Sequence, residues 1–340
     1  MDSMETKRLH YVDLIKVIST IMIVMQHSIS GCFEKMDIHS WQWIVIAVIF
    51  YASRIAVPIF VMLSGIGMLR RSRSITEVLK HNILQLLKVY VCWMLVFGCR
   101  DVAASIYGGN NSVRVLVNIL IKSILFGHYH TWFVAMLIGL YLVTPFLFKI
   151  VQDRSLGWWF VALSFVFTCC LPWLDGLEWF SRANNVIRDV HMNFVVGYSL
   201  YYVLGYMLSD DRIKMKKISG LLTLVVFVLV AVANIYLSRS IEKPSHILFE
   251  EYSPFTVIIS SGVLLLVKNM KFRNETINGS LIRMSKLGIG IYLIHPIFLF
   301  ILSEINGLMC ILYAIGIWCL SLAMTKIISL GKITSKLFLI

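Results

Sequence analysis

The sequence predicts an all-α, polytopic membrane helix bundle, and three observations support this fold class. Of the 340 residues, 59% are hydrophobic and only 14% are charged. A soluble domain of this size cannot bury so much apolar surface, whereas a bilayer accommodates it. Apolar runs long enough to cross a bilayer recur along the whole chain. Lysine and arginine are concentrated between these runs, as expected for segments that orient a membrane protein.

Ten apolar runs have the length of a transmembrane helix. They lie at residues 11–31, 42–68, 82–101, 131–150, 157–174, 190–209, 217–238, 253–269, 287–304 and 307–328. A further run at 113–127 is too broken by polar residues to be counted as a span. No linker or change of composition divides the chain, so we expect one membrane domain over residues 1–340.

The basic residues predict that both termini lie in the cytoplasm. With the N-terminus inside, the cytoplasmic segments hold twenty Lys and Arg, the external loops seven, and the apolar runs the remaining four. The net charge of +13 therefore reflects orientation, and no nucleic-acid partner is expected. The seven cysteines form no C-x-x-C pair, and we interpret them as small apolar side chains.

The first run, 11–31, carries ionisable residues at depths where they are costly. Asp13, Lys16 and His27 each cost about 2.5–3.5 kcal/mol to insert, so such groups usually belong to a pathway or a site. They also interrupt the apolar core that a cleaved signal peptide needs. Lys16 and His27 are three helical turns apart, so they share a face about 16 Å from each other. A snorkelling Asp13–Lys16 pair and a structural histidine would produce the same pattern, and spacing alone leaves both interpretations open.

Two further features suggest sites. Arg54 lies in mid-span beside Pro58, where it requires either an anion or a water-filled cavity. We expect it to line a cavity, and a structural ion pair with an unidentified partner is the alternative. His128 and His130 form an H-x-H pair without a third ligand at suitable spacing, so no metal site is expected.

Four local patterns follow one another along the chain. They are Lys16 with His27; 59–65 with Ser64-Gly65, then Arg70 and Arg73; His130-Thr131-Trp132-Phe133, continuing to Pro145; and Ser285 followed by 291–296, which contains His295. Together they resemble the acyltransferase-3 family of integral membrane acyltransferases over nearly the whole chain. The resemblance is closest to the polysaccharide O-acetyltransferases and to the membrane module fused to vancomycin-resistance serine racemases.

The resemblance implies acyl transfer from cytoplasmic acetyl-CoA to a hydroxyl of an extracytoplasmic acceptor. The acceptor would be a surface polysaccharide, its precursor or a small molecule, and the location the bacterial inner (plasma) membrane. His27 takes the catalytic position as general base, or less readily as acyl carrier, with Lys16 and Asp13 orienting the donor below it. Lys16 replaces the family's arginine, which keeps the charge and loses the bidentate fork.

The resemblance also assigns binding roles. Arg70, Arg73 and Lys80 would hold the phosphates of coenzyme A, although basic residues at this depth also serve as membrane anchors. Ser64-Gly65 would admit the pantetheine arm, or would pack two helices closely. The acceptor side would include four residues: Arg54, His130, Trp132 and His295.

Two other classes of function fit the same pattern. A transporter also has ten helices and buried charges, but the inverted repeats typical of transporters are not evident. A serine-handling module of the racemase-linked type is the second alternative. The sequence leaves open the acceptor, the acyl length and the oligomeric state, including a homo-oligomer.

Overall fold

A computed structural model describes residues 9–109, 112–128, 130–174, 197–214, 217–270, 274–301 and 307–339. Within these ranges the regular secondary structure is entirely helical. We number the helices in chain order: α1 His10–Lys35, α2 Trp41–Arg54, α3 Ala56–Met68, α4 Ile75–Tyr107, α5 Val113–Phe126, α6 Trp132–Gln152, α7 Arg154–Trp173, α8 Ser199–Leu208, α9 Lys217–Ser240, α10 Pro254–Lys268, α11 Glu275–Ser285, α12 Gly288–Ile301, α13 Met309–Leu330 and α14 Lys332–Phe338.

The predicted membrane bundle is confirmed. Seven helical segments of the described chain are long and apolar enough to span a bilayer, with α2 and α3 counted as one. An eighth is the pair α11 and α12, bent by 58°. The predicted spans 190–209 and 253–269 correspond to the shorter apolar helices α8 and α10, and residues 190–196 lie outside the described ranges.

Local sequence signals set several helix ends. Ser40 caps α2 by accepting a hydrogen bond from the Trp43 amide, and Asp153 caps α7 by accepting from two amides. Ser253 caps α10, and Pro254 occupies its first turn, where a missing N–H costs nothing.

Helix α3 lies at the centre of the bundle and packs tightly on α8. A Cβ at Gly65 would lie 1.8 Å from the Tyr202 carbonyl oxygen, and a Cβ at Gly205 would lie 2.4 Å from that of Met62. Reciprocal glycines therefore allow the two backbones to touch, as small residues do in membrane interfaces. This contact fixes the position of the Ser64-Gly65 turn.

Helix α5 folds back along the outer half of α4. The Ser123 hydroxyl donates to the Met94 carbonyl, and a Cβ at Gly98 would lie 3.1 Å from Ser123, so the helices are in close contact. Gly127 then reverses the chain with φ +68°, a conformation that favours glycine. The run 113–127 is thus a helix that packs beside α4 and leads the chain into the bundle interior.

The segment between α9 and α10 also folds inward. The carbonyl of Ser245 accepts hydrogen bonds from the Tyr51 hydroxyl at 3.0 Å and the Asn234 amide at 2.6 Å. Phe249 is fully buried and stacks on Tyr51 with ring centroids 4.8 Å apart. These contacts carry the adjacent carboxylates Glu250 and Glu251 towards the break between α2 and α3.

Candidate functional site

A basic cavity lies at the end of the bundle where α1 begins, the predicted cytoplasmic end. It has a volume of about 380 Å³. Its lining brings together four residues that the sequence singled out: Asp13, Lys16, Arg70 and Arg73. Arg71 also lines it, so four cations surround one carboxylate. We call this space the basic cavity; its charge favours an anionic ligand.

A second cavity of about 350 Å³ borders the basic cavity. The two share Lys16, Leu63 and Gly67 in their linings. The second cavity is lined further by residues of α3, α6 and the α11–α12 bend: Phe60, Ser64, Met68, Leu137, Tyr141, Ser285, Lys286, Gly288 and Ile289. We call it the inner cavity, since it extends along α1 from Lys16 towards the residues that surround Thr20.

Hydrogen bonds hold the charged groups of these cavities in place. The Ser285 hydroxyl donates to the buried carboxylate of Asp13, linking α11 to α1. The Arg73 guanidinium donates to the carbonyls of Met68 and Gly67 at the end of α3. Such a cation at a helix C-terminus satisfies carbonyls that have no partner within the helix. Arg73 thus has a structural role beside the predicted role in phosphate binding.

Of three further residues predicted to bind the donor, only one lines a cavity. Ser64 lines the inner cavity, whereas Gly65 packs against Tyr202 of α8 and supports the helix-packing interpretation. Gly67, which the sequence analysis did not single out, borders both cavities. Lys80 is exposed in a π-helical turn, Val78–Ile83, and lines neither cavity.

Three histidines meet about 16 Å farther along α1 from Lys16. The ring centroid of His27 lies 5.3 Å from that of His295, and His295 lies 6.4 Å from His130. His27 is partly accessible, whereas His130 is 2% exposed and His295 is fully buried. We refer to these residues as the histidine cluster. It joins α1, α12 and the segment before α6, which are far apart in sequence.

His130 is buried within the bundle, where its ring faces that of His295. The hydroxyl of Tyr292 donates to the His130 carbonyl, and the His130 ring packs edge-on against Phe97 at 4.6 Å. These contacts hold His130 beside the cluster.

The tautomer of His295 follows from its hydrogen bond. Nδ1 lies 2.6 Å from the Tyr292 carbonyl oxygen, which can only accept, so Nδ1 carries the proton of the neutral ring. Nε2 is then left as an acceptor, and it has no hydrogen-bond partner among the described residues. A buried acceptor of this kind is suited to receive a proton or an O–H group.

His128 belongs to a separate, structural contact. Its Nε2 lies 2.9 Å from the Ser123 hydroxyl and 3.7 Å from an Asp101 oxygen. Since the Ser123 proton is given to the Met94 carbonyl, His128 donates to Ser123. No group of three or more His, Cys, Asp or Glu in the described residues is arranged to hold a metal ion.

Arg54 forms the ion pair that the sequence left without a named partner. A terminal guanidinium nitrogen, Nη2, lies 3.0 Å from a carboxylate oxygen of both Glu250 and Glu251, and Nε donates to the Phe249 carbonyl. The Arg54 side chain is 10% exposed. The guanidinium also lies within electrostatic range of His27.

The two carboxylates of this pair differ in their surroundings. The hydrogen bond from His246, 3.0 Å away, lowers the pKa of Glu250, and the charge of Arg54 acts in the same direction. Burial raises the pKa of Glu251. A sequence signal for this ion pair did exist. Arg54 in mid-span requires an anion, and the adjacent carboxylates Glu250 and Glu251, shortly before Pro254, were candidates for it.

Trp132 lies near the histidine cluster without joining it. It begins α6, is 42% exposed, and contacts Tyr198 with ring centroids 5.5 Å apart. The next residue, Phe133, packs against Phe60 and Tyr292. Trp132 is therefore an accessible aromatic surface on the acceptor side of the predicted site.

The fold and these polar groups define a class of protein: a polytopic membrane protein with a basic cavity at one end of α1 and buried histidines farther along it. A family model described as an acyltransferase domain matches residues 9–333. The chain therefore belongs to the acyltransferase-3 family of membrane proteins. No curated protein and no solved structure matches the chain.

Proposed function

We propose that this membrane acyltransferase transfers an acetyl group from coenzyme A on the cytoplasmic side to a hydroxyl of an acceptor on the external side. One observation carries the proposal. The basic cavity and the histidine cluster both include residues of α1, about 16 Å apart, so one helix joins an anion-binding space to a proton acceptor.

The donor end suits the chemistry of coenzyme A. Its phosphates would pair with Arg70, Arg73 and Lys16 in the basic cavity, since guanidinium and ammonium groups are the usual phosphate partners in proteins. The pantetheine arm would occupy the inner cavity, past Ser64 and Gly67. Its thioester would then point along α1 towards His27.

His27 would act as the general base. Its ring nitrogen accepts the proton of the acceptor hydroxyl while the oxygen attacks the thioester carbonyl. The new C–O bond forms, the C–S bond breaks, and the proton passes from His27 to the departing thiolate, giving the ester and free coenzyme A. A neutral histidine suits this role because it both accepts and returns a proton near neutral pH.

His295 and Arg54 would support that step. His295 presents Nε2 as a buried acceptor beside His27, so it can orient the acceptor hydroxyl or the His27 ring. Arg54, held by two carboxylates, fixes a positive charge near His27. Both roles are positioning roles and leave the proton transfer to His27.

A glycan hydroxyl is the acceptor class we favour. The family resemblance supports it, and the exposed ring of Trp132 offers the kind of aromatic face on which sugar rings stack. A polysaccharide or its precursor would approach from the external side, near His130 and Trp132. No resident cofactor or metal is needed, because acetyl-CoA is a substrate.

The test is sided acetyl transfer by purified chain in sealed vesicles. Acetyl-CoA labelled in the acetyl group is placed on one side, and candidate glycan or serine acceptors on the other. We expect coenzyme A release and labelled ester when the donor faces the N-terminal side. Acceptor flux without acetyl-CoA binding or turnover would overturn the proposal and favour transport.

A further inference from the structure

A third cavity, outside the donor path, lies at the same predicted cytoplasmic end. It has a volume of about 720 Å³ and is enclosed by α11, the link to α12, α13 and the C-terminal segment. We call it the C-terminal cavity. None of its lining residues belongs to the histidine cluster or to the Arg54 ion pair, so the proposed reaction does not use this cavity.

The lining of this cavity has two chemically distinct parts. Arg283, Lys286 and Lys326 bring three cations to it, and all three are exposed at its rim. Its walls include Leu287, Leu322 and Leu339. Among the described residues, no carboxylate lines the cavity and none of the three cations forms an ion pair.

This combination matches one class of ligand. A cluster of basic residues over apolar walls, between helices on the cytoplasmic side, is the pattern that binds anionic lipid headgroups. Free phosphate would use the cations and leave the apolar walls wet, whereas a neutral lipid would use the walls and leave the cations unpaired. We propose that the C-terminal cavity binds an anionic phospholipid of the cytoplasmic leaflet.

The cavity is well placed to influence the donor site. Lys286 lines both the C-terminal cavity and the inner cavity. It directly follows Ser285, whose hydroxyl holds Asp13, and it lies in the 58° bend between α11 and α12. A bound headgroup would therefore fix the bend that separates the lipid from the donor. This inference concerns a different cavity and stands apart from the proposed reaction.

Photocrosslinking of the full chain in nanodiscs tests the proposal. The discs contain phosphatidylcholine and a trace of phosphatidylglycerol carrying a diazirine in an acyl chain, or the matched phosphatidylcholine probe. We expect phosphatidylglycerol to label peptides of α11 and α13 in preference to phosphatidylcholine. Arg283→Gln with Lys326→Gln should reduce that labelling about tenfold or more, because each basic residue contributes about fivefold to binding an anionic lipid surface.

Two matched variants separate charge from folding. Lys149→Gln with Lys332→Gln removes the same charge from exposed sites that do not line the cavity, and should leave labelling unchanged. Arg283→Lys with Lys326→Arg keeps the charge and should retain labelling. Equal labelling by both probes, labelling that survives loss of the two cations, or protection by acetyl-CoA would each overturn the proposal. The last outcome would assign the cavity to the donor.

Discussion

The two charged regions of the bundle, the basic cavity and the Arg54 ion pair, have opposite balances of charge. Four cations line the basic cavity beside Asp13, and even with Glu77, which pairs with Arg71 and Arg73, they outnumber the carboxylates by two to one. At the other region two carboxylates surround the single cation Arg54. The basic cavity therefore has excess positive charge that a ligand can neutralise, whereas carboxylates of the protein neutralise the charge of Arg54.

This contrast distinguishes an arginine with a structural role from an arginine that is available to bind a ligand. An arginine buried in a membrane must have an anion, and Arg54 obtains it from the segment between α9 and α10. Arg70 is exposed at a cavity with excess positive charge. A ligand anion is therefore the expected partner of Arg70, whereas Arg54 already has protein carboxylates as partners.

Replacing His27, the proposed base, should have the largest effect on the rate of acetyl transfer. We expect His27→Ala to lower acetyl transfer by about 10²–10⁴-fold, the usual contribution of a general base, while acetyl-CoA binding is retained. Initial rates and binding of labelled acetyl-CoA to the purified variant provide the measurement.

His39→Ala is the matched control for this experiment. His39 is exposed outside the cavities and contacts Glu242, so its loss should leave the transfer rate unchanged. If His27→Ala retained the wild-type rate, the proposed base would be wrong even if the enzyme were active.

Breaking the Arg54 ion pair should mainly affect stability. Glu250→Gln with Glu251→Gln leaves Arg54 as a largely buried cation without a carboxylate, and removing the partner of a buried charge costs about 3–5 kcal/mol. We expect a clear fall in the Tm of the detergent-solubilised protein. Arg70→Gln, at the exposed cavity, should leave Tm nearly unchanged; equal losses in the two proteins would contradict the contrast.

Much of the fold could be predicted from the sequence because the bilayer imposes it. Runs of apolar residues near twenty in length become helices, so the spans were found from composition alone. The shared face of Lys16 and His27 on α1 could also be predicted, because it follows from helical spacing. The residues of other helices that surround them could not be predicted in this way. The meeting of His27 with His295 and His130 depends on contacts between segments more than a hundred residues apart.

Three features depend on contacts that the sequence does not show. The segment 113–127, which was not counted as a span, packs beside α4, because the hydroxyl of Ser123 donates to the Met94 carbonyl there. The sequence left Gly65 open between the pantetheine path and helix packing, and the close approach of Tyr202 supports packing. Glu250 and Glu251 lie in a connection, where no periodicity shows that the chain folds back into the bundle.

Removing donor-side cations should weaken acetyl-CoA binding by a smaller factor. We expect Arg70→Gln to raise the Kd for acetyl-CoA about tenfold or more, since a charged hydrogen bond contributes about 1.5–3 kcal/mol. Arg73→Gln should raise the Kd and also lower Tm, because Arg73 donates to carbonyls at the end of α3. Lys80→Gln is the control, since Lys80 lines neither donor cavity. Similar Kd values in all three variants would remove the phosphate role from the basic cavity.

Lys16 allows charge and geometry to be tested separately. Lys16→Gln removes the cation that borders both cavities and should raise the Kd for acetyl-CoA about tenfold. Lys16→Arg keeps the charge and adds a bidentate fork, so its Kd should stay within about threefold of the wild type. Isothermal titration of the three proteins distinguishes these outcomes. If both variants lost binding equally, the size of the ammonium group, and not its charge, would determine the fit.

The smallest effect concerns the pH dependence of stability at the Arg54 ion pair. The pKa of Glu250 is lowered, so its contribution is present above the ordinary pKa of a glutamate and is lost as pH falls. The pKa of Glu251 is raised, so its contribution is fully present at low pH and is lost as pH rises through that raised value. Glu250→Gln should therefore lower the slope of Tm against pH below pH 4.5, the ordinary pKa of a glutamate, and Glu251→Gln should raise that slope above pH 4.5. Changes of the same sign in the two variants would show that the carboxylates respond as equivalent partners of Arg54, and that His246 does not distinguish them.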